Sequence, residues 1–240
     1  MHFFNNPSWI DSLLFHVNRL EDLPESIYDE INRGLAKLQS DTPLVSVVIP
    51  AFNEEVSVLR TLYSLSLNKT SHPVEFIVIN NNSTDRTQEV LDRLDVKSFL
   101  QTQAGCGPAR QLGQQVARGK YILMGDADCF YPKGWIEKMT NALMKDGVTC
   151  VYGGYSFLGT ENKPRWKLFI YESLRDIVAG FRHIKRPYLN ALGMSMGYVK
   201  DLGLKNGFVN RKIRGEDGRM CYDLMKYGKV KQIRSYSNRV

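Results

Sequence analysis

Residues 121–129, YILMGDADC, run four largely apolar residues into two carboxylates, Asp126 and Asp128, separated by one alanine. Side chains alternate along a strand, so two residues spaced this way can face the same direction. A buried strand should not end in paired negative charge unless water, a basic neighbour or a metal ion offsets it. Two carboxylates at one strand end suit a hard cation, Mg²⁺ or Mn²⁺, that binds one or two carboxylates and completes its shell with substrate phosphates. An exposed acidic turn explains Asp-x-Asp equally well when the motif stands alone. A second acidic pair, Glu216 and Asp217, follows Gly215 at the start of a predicted helix, where the helix dipole by itself favours acidic residues. Arg110 lies ahead of the first pair in GCGPARQLG, shortly after Gly105 and Gly107, which would let the backbone approach a ligand closely. The competing reading is a surface arginine on an ordinary helix.

The elements that must hold these residues alternate in type. LVSVVIP (44–50) and VEFIVIN (74–80) are short, β-branched and nearly continuously apolar, the pattern of strands buried on both faces of a parallel sheet. A helix is expected between them, and another over 83–94 with Ser83 or Thr84 as its N-cap and Arg86 and Glu89 on its exposed side. VKSFL (96–100) reads as a third strand, 107–119 as a helix closed by glycine, and YILMG (121–125) as a fourth strand. Residues 1–42 read as an N-terminal helical extension, with helical spacing at Trp9–Arg19 and Pro24–Gln39 and Pro24 near a helix start. Strands alternating with helices predict an α/β, Rossmann-like sheet. Ligands in such sheets bind beyond the carboxyl ends of the strands, where Asn53, Asn80–Asn82 and Asp126–Asp128 all fall.

Four ordered segments, VSVVIPAFNEE (45–55), VEFIVINNNSTD (74–85), ARGKYILMGDADC (117–129) and RGED (214–217), resemble glycosyltransferase family 2 with the GT-A fold over roughly residues 44–235. The resemblance implies a mixed, mostly parallel sheet flanked by helices, in a domain over 43–240. Its nucleotide-binding half would be 43–130 and its acceptor half 131–240. It implies inverting, divalent-metal-dependent transfer of a hexose-like sugar from a nucleotide-sugar donor to a glycan or lipid-linked acceptor, as in cell-surface polysaccharide synthesis. On that correspondence Pro50, Ala51, Asn53 and Glu54 contact the nucleotide. Asn80 stands where the family usually has an aspartate that accepts from the base, and this departure weakens any claim for a UDP-sugar. Asp85 is expected to serve a helix dipole instead of a ligand. Arg110 would offset phosphate charge. Asp126 would serve ribose and metal, Asp128 would ligate Mn²⁺ or Mg²⁺ directly, and Asp217, with Glu216 as runner-up, would be the general base. Related enzymes often carry a histidine beyond the last strand, and none follows His183 here. The alternatives are a site that manages without it and a chain that is part of a longer one.

The charge is uneven. From residue 160 onward 18 Lys and Arg face 7 Asp and Glu, leaving 14 against 18 before it, so the C-terminal third is where an anionic partner would sit. No nucleic-acid motif accompanies that charge. Residues 164–187 place Trp166, Phe169, Ile170, Leu174, Ile177, Val178, Phe181 and Ile184 at helical spacing among basic residues. The expectation is a core-packing helix with a basic polar face; the alternative is a helix lying in a membrane interface. NALGMSMG (190–197) is expected in the acceptor wall by its position in the pattern. Four scattered cysteines and four dispersed histidines argue against a structural zinc site and suit reduced thiols. The N-terminus lacks signal-peptide features, which predicts a cytoplasmic protein, at most peripheral at the inner face of a membrane. Two further classes compete: a non-catalytic nucleotide- or glycan-binding module with a degraded site, and a sugar-phosphate nucleotidyltransferase. The second would want a glycine-rich basic signature where PAFNEE is acidic.

Overall fold

A computed structural model describes residues 4–15, 19–208 and 215–240. Residues 16–18 of the first predicted helix and 211–214 ahead of the second acidic pair lie outside the described residues. The elements run α1 (Ser26–Ala36), β1 (Val45–Ala51), α2 (Ser57–Ser66), β2 (Val74–Asn80), α3 (Thr87–Asp92), β3 (Lys97–Leu100), α4 (Cys106–Val116) and β4 (Tyr121–Met124). They continue with α5 (Trp135–Leu143), β5 (Val148–Gly153), α6 (Arg165–Lys185), β6 (Met196–Val199), α7 (Lys200–Asn206), α8 (Glu216–Leu224) and β7 (Lys229–Ile233). The seven strands form one sheet in the order β3-β2-β1-β4-β6-β5-β7. β1 runs parallel to β2 and β4, β6 is antiparallel to β4 and β5, and β7 is parallel to β5.

Both faces of the central strands are covered, as their unbroken apolar runs require. Val45, Val47 and Ile49 join α2 and α5 residues in one core, while Val48, Ile77, Ile122 and Met124 pack toward α4 and α8 in the other. Leu20, Tyr28, Ile31 and Leu35 belong to the first core, so the N-terminal segment packs onto the sheet. The chain leaves β1 for β2 and β3 on one side and returns to β4 on the other. The carboxyl ends of β1 and β4 therefore bound a topological switch point, the place where open α/β sheets bind ligands.

Glu75, on β2, is 1% exposed. Its carboxylate accepts from the Ser46 hydroxyl at 2.6 Å, Lys97 Nζ at 2.8 Å and the Arg118 backbone N–H at 2.6 Å. Burial would raise its pKa, yet these donors and the Arg118 side chain overcome burial and lower it to about 2. A depressed folded-state value gives stability that is present above the ordinary 4.5 and lost as pH falls through about 2. Glu75→Gln is expected to cost about 3 kcal/mol at neutral pH. In urea denaturation the gap to the parent should close as the pH is lowered across that window.

Three expectations need correction. The helix expected over 83–94 starts at Thr87, with no side-chain cap from Ser83 or Thr84. Asp85 instead accepts from the Thr87 N–H at 3.0 Å and from the Glu55 N–H at 3.1 Å, anchoring the turn to the loop after β1. Gly119 does not close α4, which ends before Ala117. A Cβ on Gly119 would lie 2.7 Å from the Ser46 backbone nitrogen, so the glycine lets the chain pass close against β1 on its way into β4.

The third concerns α6, which does not pack through its apolar face. Ile170, Leu174, Ile177, Val178, Phe181 and Ile184 are all 47% or more exposed, and the residues of this helix that are buried are Arg165 and Glu172. Arg165 and Glu172 pair at 2.9 Å, Asp176 bonds Arg175 and Arg239, and His183 Nδ1 bonds the Tyr152 hydroxyl at 2.6 Å. The polar face is held down by mutual pairing. The apolar face is left outside.

Candidate active site

The loops beyond β1 and β2 are stitched together. Asn53, with φ of 56°, accepts from the Thr84 N–H through its side chain at 2.7 Å, and its own N–H donates to the Ser83 hydroxyl at 3.0 Å. The Glu54 N–H donates to the Thr87 hydroxyl at 2.9 Å. Pro50 and Ala51 end the β1 strand beside Asn80. Asn80 is 3% exposed, donates to Gln88 at 2.8 Å and accepts from the Ser83 N–H at 2.9 Å, so its amide ties the loop after β2. Asn81 donates to the carbonyls of Gln101 and Gln103 and accepts from the Gly105 N–H at 2.8 Å. Asn81 thus seats the segment that leads into α4, which carries Arg110.

Arg110 is 3% exposed and faces carboxylates from two other parts of the chain. Nη2 donates to Asp126 Oδ1 at 3.1 Å, and Nη1 donates to Glu216 Oε1 at 3.0 Å and to Asp217 Oδ1. Its Nε is buried without a hydrogen-bond partner among the described residues. The free Oδ2 of Asp217 accepts from the Gly193 N–H at 2.9 Å. A Cβ on Gly193 would fall 1.9 Å from Arg110 Nη2, so any side chain here would displace the guanidinium from its place against this backbone. The segment expected in the acceptor wall therefore borders the acidic pair.

The strand-end carboxylates are held separately. The Asp126 N–H donates to the Tyr131 hydroxyl at 2.8 Å, and that hydroxyl donates to the Met194 carbonyl at 3.0 Å. The Thr61 hydroxyl, on α2, bonds the Ala127 carbonyl at 2.8 Å. These anchors fix the backbone of the turn and leave Asp128 exposed. Sequence reasoning did not single out Tyr131 or Thr61. The aromatic residue shortly after DAD was the available signal for the first, and nothing local marks the second.

Burial raises the pKa of Asp217 and of Asp126; Arg110 opposes this, and the neighbouring charges of Glu216 and Asp128, respectively, add to it. Glu54 is raised by burial and further by Asp128. Burial disfavours the charge on Arg110, but Asp217, Asp126 and Glu216 more than offset that and raise its pKa. The cluster is thus an excess of carboxylates around one guanidinium, and each carboxylate away from that guanidinium makes ionisation of the next harder. Such a site favours a divalent cation. Among the described residues no three His, Cys, Asp or Glu side chains converge as a ligand set. Asp126 and Asp128 fit Mn²⁺ or Mg²⁺ only as the two-carboxylate part of a shell that a phosphate ligand completes.

Comparison with known proteins identifies the family and the fold. The family model described as glycosyl transferase family 2 matches residues 46–200. Polypeptide N-acetylgalactosaminyltransferase 8 of Drosophila melanogaster is 32% identical over 76% of this chain and 32% of its own length. The putative teichuronic acid biosynthesis glycosyltransferase TuaG of Bacillus subtilis is 29% identical over 51% of this chain and 50% of its own. The chain thus spans half or less of these curated relatives. Among solved structures, the mannosyltransferase PcManGT of Pyrobaculum calidifontis, in complex with GDP-Man and Mn²⁺, superposes with a TM-score of 0.61 at 18% identity, over 87% of this chain and 61% of that one. TarS 1–349 of S. aureus in complex with UDP gives 0.62 at 17% identity, over 81% and 59%. These likenesses show the fold, a GT-A α/β sheet flanked by helices. With a family match across more than half its length, the chain belongs to glycosyl transferase family 2.

Proposed function

We propose that the protein transfers a sugar from a nucleotide-sugar donor to a glycan or lipid-linked acceptor, with inversion at the anomeric carbon. The observation that carries this reading is the meeting of Asp126, Glu216 and Asp217 on Arg110, beside the carboxyl ends of β1 and β4. Asp217 accepts the acceptor hydroxyl's proton as its oxygen bonds to the anomeric carbon, and the bond from that carbon to the nucleoside diphosphate breaks on the opposite face. One base and one displacement invert the centre. Glu216 is the alternative base. Asp128 and Asp126 would hold Mn²⁺ or Mg²⁺, which would act as a Lewis acid toward the departing diphosphate. Arg110 positions Asp217 and Asp126 together and adds positive charge near the phosphates. Pro50, Ala51, Asn53 and Glu54 line the nucleoside side, and Asn80 shapes that side through its loop.

Structural neighbours solved with GDP-Man and Mn²⁺ and with UDP-GlcNAc support a nucleotide-sugar donor. The teichuronic acid relative supports a cell-surface polymer as the destination. Among the described residues no helix is long and apolar enough to cross a membrane. Calorimetric titration with UDP, GDP, dTDP and CDP, each with Mn²⁺ and with EDTA, tests the reading. One nucleotide is expected to bind with Mn²⁺ and not with EDTA, and Asp128→Ala should abolish the difference. Binding of none, or equal binding in EDTA, would count against it.

A further inference from the structure

An amphipathic helix on a protein surface ordinarily turns its apolar stripe inward. α6 does the reverse. Its carboxylates, Glu172 and Asp176, both lie on the inner side in ion pairs with Arg165, Arg175 and Arg239. The outward face carries Ile170, Leu174, Ile177, Val178, Phe181 and Ile184, and Phe181 and Ile184 are 71% and 75% exposed. Interleaved with them are the exposed cations Lys167, Arg182, Lys185 and Arg186, and no acidic residue of the helix shares that face. The charge continues past the helix. Arg234, at the end of β7, reaches to 4.0 Å from the Cβ position of Gly180.

We infer that this face of α6 docks on an anionic lipid bilayer, the apolar side chains entering the interface and the cations meeting headgroup phosphates. The charge pattern selects this occupant. A second copy of the chain would set basic faces against each other, and an apolar protein groove would leave four cations without partners. A helix with bulky apolar residues on one side and Lys and Arg at its margins is the form that lies in the plane of a membrane surface. Each cation near an anionic surface adds about fivefold in affinity.

The docked helix also bears on the acceptor. α6 passes through the short helical turn Pro187–Asn190 into Gly193, whose N–H holds Asp217. Gly218 of α8 lies against the Tyr188 carbonyl, 2.9 Å from where its Cβ would be. The candidate base is therefore coupled to the membrane-facing helix through a few residues, and a lipid-linked acceptor is favoured over a soluble glycan. That last step rests on the proposed transfer; the docking does not.

Flotation of the full chain with phosphatidylcholine vesicles, and with vesicles containing roughly a third phosphatidylglycerol, tests the inference. Binding is expected to the anionic vesicles, weakening with salt, and to be marginal on phosphatidylcholine. Ile177→Glu with Phe181→Glu, and separately Arg182→Glu with Lys185→Glu, should each reduce binding roughly tenfold or more. Both pairs are solvent-facing, so circular dichroism and nucleotide titration should stay unchanged; this separates a docking failure from a failure of the proposed function. Equal binding to both vesicle types, insensitivity to both variants, or a dimer in sedimentation that the apolar variant dissolves would each overturn it.

Discussion

Asp217→Asn is expected to lower turnover by roughly 10²–10⁴-fold, the usual contribution of a positioned general base, with nucleotide binding essentially kept. Asparagine preserves shape and one side-chain oxygen, so it can still accept from the Gly193 N–H or from Arg110 Nη1. What it lacks is the basic oxygen that takes the acceptor's proton. The comparison of kcat with binding in the calorimeter separates the two functions. Normal turnover would move the base elsewhere, first to Glu216. The pH profile gives a second, independent reading. Burial raises Asp217 above the usual aspartate range, so activity should fall, as pH is lowered, at a higher pH than an exposed aspartate would give. Glu216 adds to that rise by repulsion, and Glu216→Gln should therefore shift the acid limb downward.

What could be read in advance divides by range. β2 spans the predicted residues Val74–Asn80, because an unbroken β-branched run is a local property that a doubly covered strand uses directly. The helix starts at Thr87 because Asp85 holds the Thr87 N–H and is itself tied across to Glu55, and that second contact is one no local capping pattern records. For α6 the period of apolar residues correctly marks a helix, but periodicity carries no sign. Which face turns inward is decided by Arg165, Glu172, Asp176 and Arg239, and Arg239 lies 63 residues beyond Asp176. The candidate site shows the same limit. The sequence sets Arg110 ahead of the Asp-x-Asp strand and the resemblance sets it by phosphate, while its pairing with Asp217, 107 residues away, emerges only once α4 and α8 pack on the same face of the sheet. Asn80 shows the same limit: its amide bonds Gln88 and the Ser83 N–H, partners set by the turn after β2 and not by the strand pattern that singled it out.

Arg110→Met should be among the most destabilising changes the site can suffer, costing about 3 kcal/mol at neutral pH, because it leaves partly buried carboxylates without their counter-charge. Methionine has similar length and keeps much of the packing, so the loss is chiefly electrostatic. The pH dependence has a definite sign. Without the guanidinium, the already raised pKa values of Asp126 and Asp217 rise further. The folded state then holds protons more tightly than the unfolded chain does. The penalty is full above those folded-state values and shrinks as falling pH neutralises the pair. Denaturant unfolding at neutral pH and near pH 5 should show the gap to the parent narrowing in acid. A gap of constant size would mean that packing, not charge, accounts for the loss. Arg110→Lys should fall between, since an ammonium restores the charge but cannot direct two donors at Asp217 and Asp126 in the fixed fork that the arginine provides.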